Sequence, residues 1–309
     1  MCSSFLYWLI SCKTLYLIIL IMDTNSQKRT VIASIIIPVF NNAILTQHCL
    51  LSIVRNTDPT YFNINRYDYE IIIVDNASTD ETSDMLKSVK GNIKVISNTT
   101  NQGFSIACNQ GANIAQGKYL ILLNNDTQVC QGWLENLIRF AEENKDAGAV
   151  GSKLLYPNGT LQEAGSVMYS DAEGYRFGIG DDPNKDIYNH SCEVDYCSGA
   201  SFLVPKKIWD ELGGLDAETY SPAYYEETDF CFSLRKAGYK VYYNPNSVLF
   251  HYDSATSGVN PNAGYKRYLE INRQKFINRW RDVLSRHPLN PKSGGSIPQI
   301  QDRVKRGMI

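Results

Sequence analysis

The run Val31-Ile32-Ala33-Ser34-Ile35-Ile36-Ile37-Pro38 constrains this chain more than any other stretch. Its residues are β-branched or small almost without interruption, so neither face of the strand they form can remain in water. Strands of that kind belong to parallel sheets covered by helices on both faces. The pattern recurs at Glu70-Ile71-Ile72-Ile73-Val74, at Ile93 to Ile96 and at Tyr119 to Leu123. Helical stripes lie between: Ile44, Cys49/Leu50 and Ile53/Val54 within 43–55, a helix over 80–89 capped by Ser78 or Thr79, then Phe104, Ala107/Cys108, Gly111/Ala112 and Ala115. These β-α repeats predict a doubly wound parallel sheet with right-handed crossovers. The loops at its carboxyl ends carry Pro38-Val39-Phe40-Asn41, Asp75 and Asp126, all expected at one crevice.

At Leu122-Leu123-Asn124-Asn125-Asp126-Thr127 an apolar run stops at two amides, a carboxylate and a hydroxyl. An Asp at a strand end can hold a hard cation, and through it a diphosphate. The same residues also suit a plain turn. A helix led by Trp133 follows, and then the chain changes character. Strand-like pieces at 147–155 and 161–168 flank the hairpin signal Tyr156-Pro157-Asn158-Gly159. Residues 170–191, rich in Asp, Gly, Asn and Tyr, read as a long mobile loop of the lid type. Ser198-Gly199-Ala200 would let backbone approach a ligand, and Trp209 and Leu212 mark a short helix closed by Gly213-Gly214. Strand-like segments at 239–243 and 248–250 lead into His251, and an amphipathic helix spans about 264–282. The expected division is an apolar segment and linker over 1–30, one domain over 31–284, and a flexible Pro/Gly/basic tail over 285–309.

Two polar groups invite chemistry. Glu226, Glu227 and Asp229 crowd one end of a helix over 224–237 and repel one another. They form either a solvated acidic face favoured by the helix dipole or a carboxylate of raised proton affinity fit to act as a general base. His251 is either a core histidine or a metal ligand. A formal charge of −2 offers no electrostatic case for nucleic acid. The eight cysteines form no Cys-x-x-Cys pair; Cys108 and Cys231 read as core residues, Cys192 and Cys197 could pair, and the whole suggests a reducing compartment. Sequons at Asn76 and Asn125 fall on the expected site, where a glycan would block it, so a cytoplasmic location, or the cytoplasmic face of a membrane, is expected. Residues 5–22 are nearly all apolar but carry Lys13, which costs about 3 kcal/mol on insertion scales. They read as an anchor giving membrane association, a signal peptide, or an upstream extension.

Together the motifs resemble family 2 glycosyltransferases, most closely the rhamnosyltransferase-like branch, over residues 31–282. The resemblance is carried by Ser34-Ile35-Ile36-Ile37-Pro38-Val39-Phe40-Asn41-Asn42, Ile73-Val74-Asp75-Asn76-Ala77-Ser78-Thr79-Asp80, Asn101-x-Gly103-Phe104, Leu123-Asn124-Asn125-Asp126-Thr127, Gly213-Gly214-Leu215-Asp216, Tyr225-Glu226-Glu227-Thr228-Asp229-Phe230-Cys231, Arg235, Ala237-Gly238-Tyr239 and His251. It implies an α/β GT-A fold: a Rossmann-like, mostly parallel sheet with helices on both faces and a smaller mixed acceptor-side region. It also implies inverting transfer of a hexosyl or deoxyhexosyl group from a UDP- or dTDP-linked sugar to a hydroxyl of a glycan or glycoconjugate. Pro38, Val39 and Asn41 would line the nucleotide pocket, Asp75 would meet the base or ribose, and Asn109, Asn124 and Asn125 would complete the donor side. Asp126 and His251 would hold Mn²⁺ or Mg²⁺, Glu227 would be the base, and Gly199, Glu226 and Asp229 would lie toward the acceptor. Two departures stand out. Asn124 replaces the first Asp of the metal motif, and Glu227 stands where Asp is usual, reaching one methylene further.

Other readings remain. Asn124 favours an inactive nucleotide-sugar-binding module, and a membrane-bound 5–22 would favour transfer to a lipid phosphate. A dehydrogenase is disfavoured because no Gly-x-Gly-x-x-Gly follows the first strand.

Overall fold

The computed structural model describes residues 30–57, 69–253 and 264–296. The expected apolar segment 5–22 lies outside them, and among the described residues no helix is long and apolar enough to cross a membrane. The first half follows the pattern of the sequence: β1 (Ala33–Val39), α1 (Ala43–Thr57), β2 (Tyr69–Asp75), α2 (Thr82–Ser88), β3 (Ile93–Ser97), α3 (Phe104–Ile114) and β4 (Tyr119–Leu123). These strands run parallel in the order β3-β2-β1-β4. Alternation along β1 explains its composition. Ile35 and Ile37 enter one apolar layer with Leu50 and Ile53, while Ile36 enters the opposite layer with Cys108 and Ala112. Helix α3 lies so close to the sheet that a Cβ on Gly111 would stand 2.5 Å from Ile36 Cγ2.

The start of α2 differs from expectation. Asp80 accepts from the Thr82 amide, whereas Ser78 and Thr79 are tied to Asn41. A partner 38 residues away outcompetes the local cap.

Beyond β4 come β5 (Thr127–Val129), α4 (Trp133–Glu143), β6 (Ala147–Leu155), β7 (Leu161–Glu163), β8 (Ser166–Met168), β9 (Gly174–Arg176), β10 (Cys192–Glu193), β11 (Ser201–Pro205), α5 (Lys206–Leu212), α6 (Ala217–Tyr220), α7 (Glu226–Lys236), β12 (Lys240–His251) and α8 (Tyr268–Leu284). The sheet continues β4-β11-β6-β12-β10. Strand β11 runs antiparallel to both neighbours, and β6 and β12 are parallel again. The two segments expected at 239–243 and 248–250 are one strand, β12, with an irregularity between Asn244 and Val248. Its far end pairs with β5, which sets His251 opposite Thr127.

Two expectations are corrected here. Residues 170–191 are not a structureless loop. They contain β9, paired with β8, and a 3₁₀ turn at Asp186–Tyr188. Tyr188 donates to Asp181, and the largely buried Lys153 donates to Asn189. The Asp and Asn residues that suggested mobility serve as the segment's internal acceptors. Of the tail expected over 285–309, the described part, 285–296, is packed, and 297–309 lie outside the described residues. Ser170 N donates to Pro288 O, and the buried Asn290 donates to Asp171 and Glu173. No disulfide joins the described cysteines, Cys192 and Cys197 included.

Candidate active site

Chain continuing from β1 crosses to β2 on one side, while β4 lies on the other. The strand order therefore reverses at β1, and a crevice opens beyond the carboxyl ends of β1 and β4. A cavity of about 290 Å³ occupies it. Pro38, Val39 and Phe40 form one wall, Asn124, Asn125 and Asp126 the floor, and Gly103 and Phe104 a flank. Gly199, Glu226, Glu227, His251 and Asp253 also line it. Among the described residues that line this space four are carboxylates and none is Lys or Arg.

The floor is built by hydrogen bonds. The Asn124 amide donates to Ala200 O, which ties β4 to the chain entering β11. Asn125 Nδ2 donates to Thr46 Oγ1 at 2.9 Å and to Asn41 O at 3.4 Å, bracing the β4 turn against α1. Asp126, 6% exposed, receives no such partner on Oδ1. That atom lies 3.3 Å from His251 Nε2. The other ring nitrogen, Nδ1, is 2.9 Å from Gln162 Oε1. With Gln162 accepting, the proton sits on Nδ1 and the Nε2 lone pair faces the carboxylate. A buried carboxylate oxygen without a donor costs about 1–3 kcal/mol. A hard or borderline divalent cation between these atoms would remove that cost, so the residues fit Mn²⁺ or Mg²⁺. Among the described residues no group of three metal-binding side chains forms. A pair is nevertheless enough for such an ion when substrate phosphates supply further oxygens.

The start of α7 carries two further acids of the cavity. Glu226 and Glu227 open α7, where unsatisfied amides welcome negative charge. Burial pushes the Glu227 carboxyl up to about 7; its own amide opposes this, the charge of Glu163 adds to it, and the Gly199 and Thr228 amides oppose it again. Burial and then the charge of Glu227 hold Glu226 well above the ordinary carboxylate range. Glu226 Oε2 is buried without a hydrogen-bond partner. Two interacting acids titrate as a pair, the first proton remaining on the more buried member. A neutral Glu226 beside a Glu227 poised near neutrality follows. Gly199 makes room for this arrangement, since a Cβ there would already touch the Phe104 ring at 3.3 Å.

Four expected residues are not brought to the cavity. Asp75 accepts from Ser78 N at 2.9 Å and from Ser83 Oγ at 2.6 Å, and borders a separate depression beside Lys87. Asn41 is spent on Thr79, with its amide on Ser78. Asn109 brackets Leu215, donating to its carbonyl at 2.8 Å and accepting from its amide at 3.0 Å. Asp229 accepts from Tyr220 Oη and Trp280 Nε1 and pairs with Arg279, fastening α7 to α8. Sequence reading in turn overlooked Gln162 and Glu163, and it placed Asn76 at the site only as a sequon. Asn76 accepts from Asn98 and from the Gln102 amide, and donates to Asn101 and Gly103, shaping the cavity flank. Two buried polar residues in the short strand β7 were the available signal for Gln162 and Glu163.

A doubly wound sheet with an acid-lined crevice at its switch point is an α/β architecture of the GT-A type. Residues 34–209, more than half of the chain, match the model of glycosyl transferase family 2, and the chain belongs to that family. It is 27% identical over 248 residues to the GalNAc(5)-diNAcBac-PP-undecaprenol beta-1,3-glucosyltransferase of Campylobacter jejuni, covering 77% of this chain and 72% of that protein. It is 24% identical over 215 residues to the N-acetylglucosaminyl-diphospho-decaprenol L-rhamnosyltransferase of Mycobacterium tuberculosis, covering 62% and 69%. Some other curated relatives are far longer, and the chain spans 26% or less of their length. Among solved structures, GalNAc-T7 with UDP, GalNAc and Mn²⁺ superposes with a TM-score of 0.62 at 16% identity, covering 82% of this chain and 50% of that one.

Proposed function

We propose that this chain transfers a sugar, with inversion, from a nucleotide diphosphate sugar to a hydroxyl of a glycan or glycoconjugate. The observation that carries the reading is that two unlike groups line one cavity. Asp126 pairs with His251, and Glu227, poised near neutral pH, lines the same space. Glu227 accepts the proton of the acceptor hydroxyl as its oxygen bonds to the anomeric carbon. The bond from that carbon to the diphosphate oxygen breaks, and the leaving group departs with the electron pair. A single base and no enzyme nucleophile is the inverting logic, with a sugar hydroxyl in place of water. Glu226, kept neutral, limits the repulsion an anionic donor meets on entering.

Asp126 and His251 would hold Mn²⁺ or Mg²⁺, which when bound supplies charge stabilisation to the leaving diphosphate. With four carboxylates among the described lining residues, a cation is the natural counter-charge for a diphosphate entering this cavity. The GalNAc-T7 structure contains UDP and Mn²⁺, and two relatives are named for polyprenol diphosphate-linked acceptors, which supports a nucleotide-sugar donor and a glycoconjugate acceptor. The test is a panel of UDP-, dTDP- and GDP-linked sugars assayed for Mn²⁺-dependent hydrolysis and transfer. Nucleotide binding without turnover of any donor would instead support an inactive binding module, which Asn124 in the metal motif favours.

A further inference from the structure

The chain enters α7 through two successive non-glycine residues in the left-handed region, Tyr224 with φ 76° and Tyr225 with φ 71°. Side chains disfavour that conformation, and it persists only where the surroundings enforce it. The enforcing group sits on another element. Asn272 of α8 is fully buried, and its Nδ2 donates to the carbonyls of Tyr220, Ala223 and Tyr224 at 2.8, 2.8 and 3.1 Å. One amide group thus gathers three carbonyls from the five residues before Tyr225. A second anchor follows: Tyr225 Oη donates to Ala172 O at 2.8 Å, and the Tyr225 ring packs 5.3 Å from Phe276 of the same helix. Downstream of the acids, Trp280 of α8 donates to Asp229 at 2.6 Å. Helix α8 therefore holds the backbone just before Glu226 and the Asp229 side chain just after Glu227. Asn272 itself is not among the residues lining the cavity.

We infer that Asn272 is a positioning residue for the carboxylate pair, its amide fixing the strained entry to α7 that aims Glu226 and Glu227 into the cavity. The inference rests on Glu227 as the base. Releasing three carbonyls lets the turn relax toward ordinary backbone angles, and the first residues of α7 move with it. Displacement of a reacting group by about 1 Å costs on the order of 10²-fold in rate.

The experiment compares Asn272→Ala and the milder Asn272→Ser, which keeps one donor, with the wild-type full chain. Transfer from the donor that the wild type uses is measured with Mn²⁺ present, and UDP affinity is measured by calorimetry. Hydrogen exchange is followed over residues 221–230. The expected result for Asn272→Ala is a kcat about 10²-fold lower per folded molecule, with UDP affinity within about twofold. The acid limb of its kcat–pH profile moves, exchange quickens over 221–230, and Asn272→Ser falls between. A role in stability alone would lower the folded fraction and leave the acid limb and the kcat of folded molecules at wild-type values, and that outcome overturns the inference. If the wild type turns over no donor, the proposed function fails separately. Asn272 is then judged on exchange: acceleration confined to 221–230 supports its role, and unchanged exchange overturns it.

Discussion

At the ends of β1 and β2, Asn41 bonds to the loop that follows β2, and Asp75 accepts from Ser78 and Ser83 of that loop. Where β4, β7, β12 and α7 meet, Asp126 Oδ1 and Glu226 Oε2 are buried without hydrogen-bond donors. Both regions are rich in amides and carboxylates, and both sit at strand ends. In the first, every carboxylate shown has found a donor within its own fold, which makes a rigid rim. In the second, the fold leaves buried oxygens unanswered, at a cost in stability that a ligand can recover. The difference separates scaffold from site better than residue type does.

Glu227→Gln tests the contrast most severely. It should lower kcat by about 10² to 10⁴-fold, the usual contribution of a general base. The melting temperature should not fall, because a buried acid is replaced by a neutral isostere. Retention of full activity would remove the base from the proposed mechanism.

Asp126→Asn comes next. Mn²⁺-dependent turnover should drop by about 10²-fold or more, with loss of the Mn²⁺-dependent part of UDP affinity seen by calorimetry. Gln162→Ala, acting only through His251, should weaken Mn²⁺ binding by about 10 to 100-fold. Equal effects from these two variants would contradict the assignment of Asp126 as the direct ligand.

Proton linkage gives a prediction of opposite sign for stability and activity. Glu226 and Glu227 both hold protons more tightly in the folded chain than in the unfolded one. Their contribution to stability is therefore full below the ordinary carboxylate range and declines as pH rises above it, that of Glu227 being lost as pH passes about 7. Activity, which needs ionised Glu227, should rise over the same interval. Thermal melts between pH 5 and 8 should show a decline in the wild type that flattens in Glu226→Gln.

The smallest effect on catalysis belongs to the scaffold. Asn109→Ala breaks two bonds to Leu215 and should cost about 1–2 kcal/mol in urea denaturation, leaving the kcat of folded enzyme unchanged. A selective rise in donor KM would return Asn109 to the donor site.

Much of this architecture is legible in one dimension. The β-branched run at Ile35–Ile37 has to be buried on both faces, and the stripe from Phe104 to Ala112 has to lie on a sheet, because side-chain periodicity is a local property of backbone geometry. Asp126 and Glu227 were also legible, as acids placed where apolar runs end or a helix begins. Tertiary structure alone decided which polar groups are spent and which are held in reserve. Pairing of β12 with β5 brings His251 to Asp126 across more than a hundred residues, and β7 supplies Gln162 behind it. Other long-range contacts occupy Asn109 and Asp229 and recruit Asn272 from α8. A hydrogen bond depends on the position of its partner rather than on residue type, and that position is set only when the elements pack.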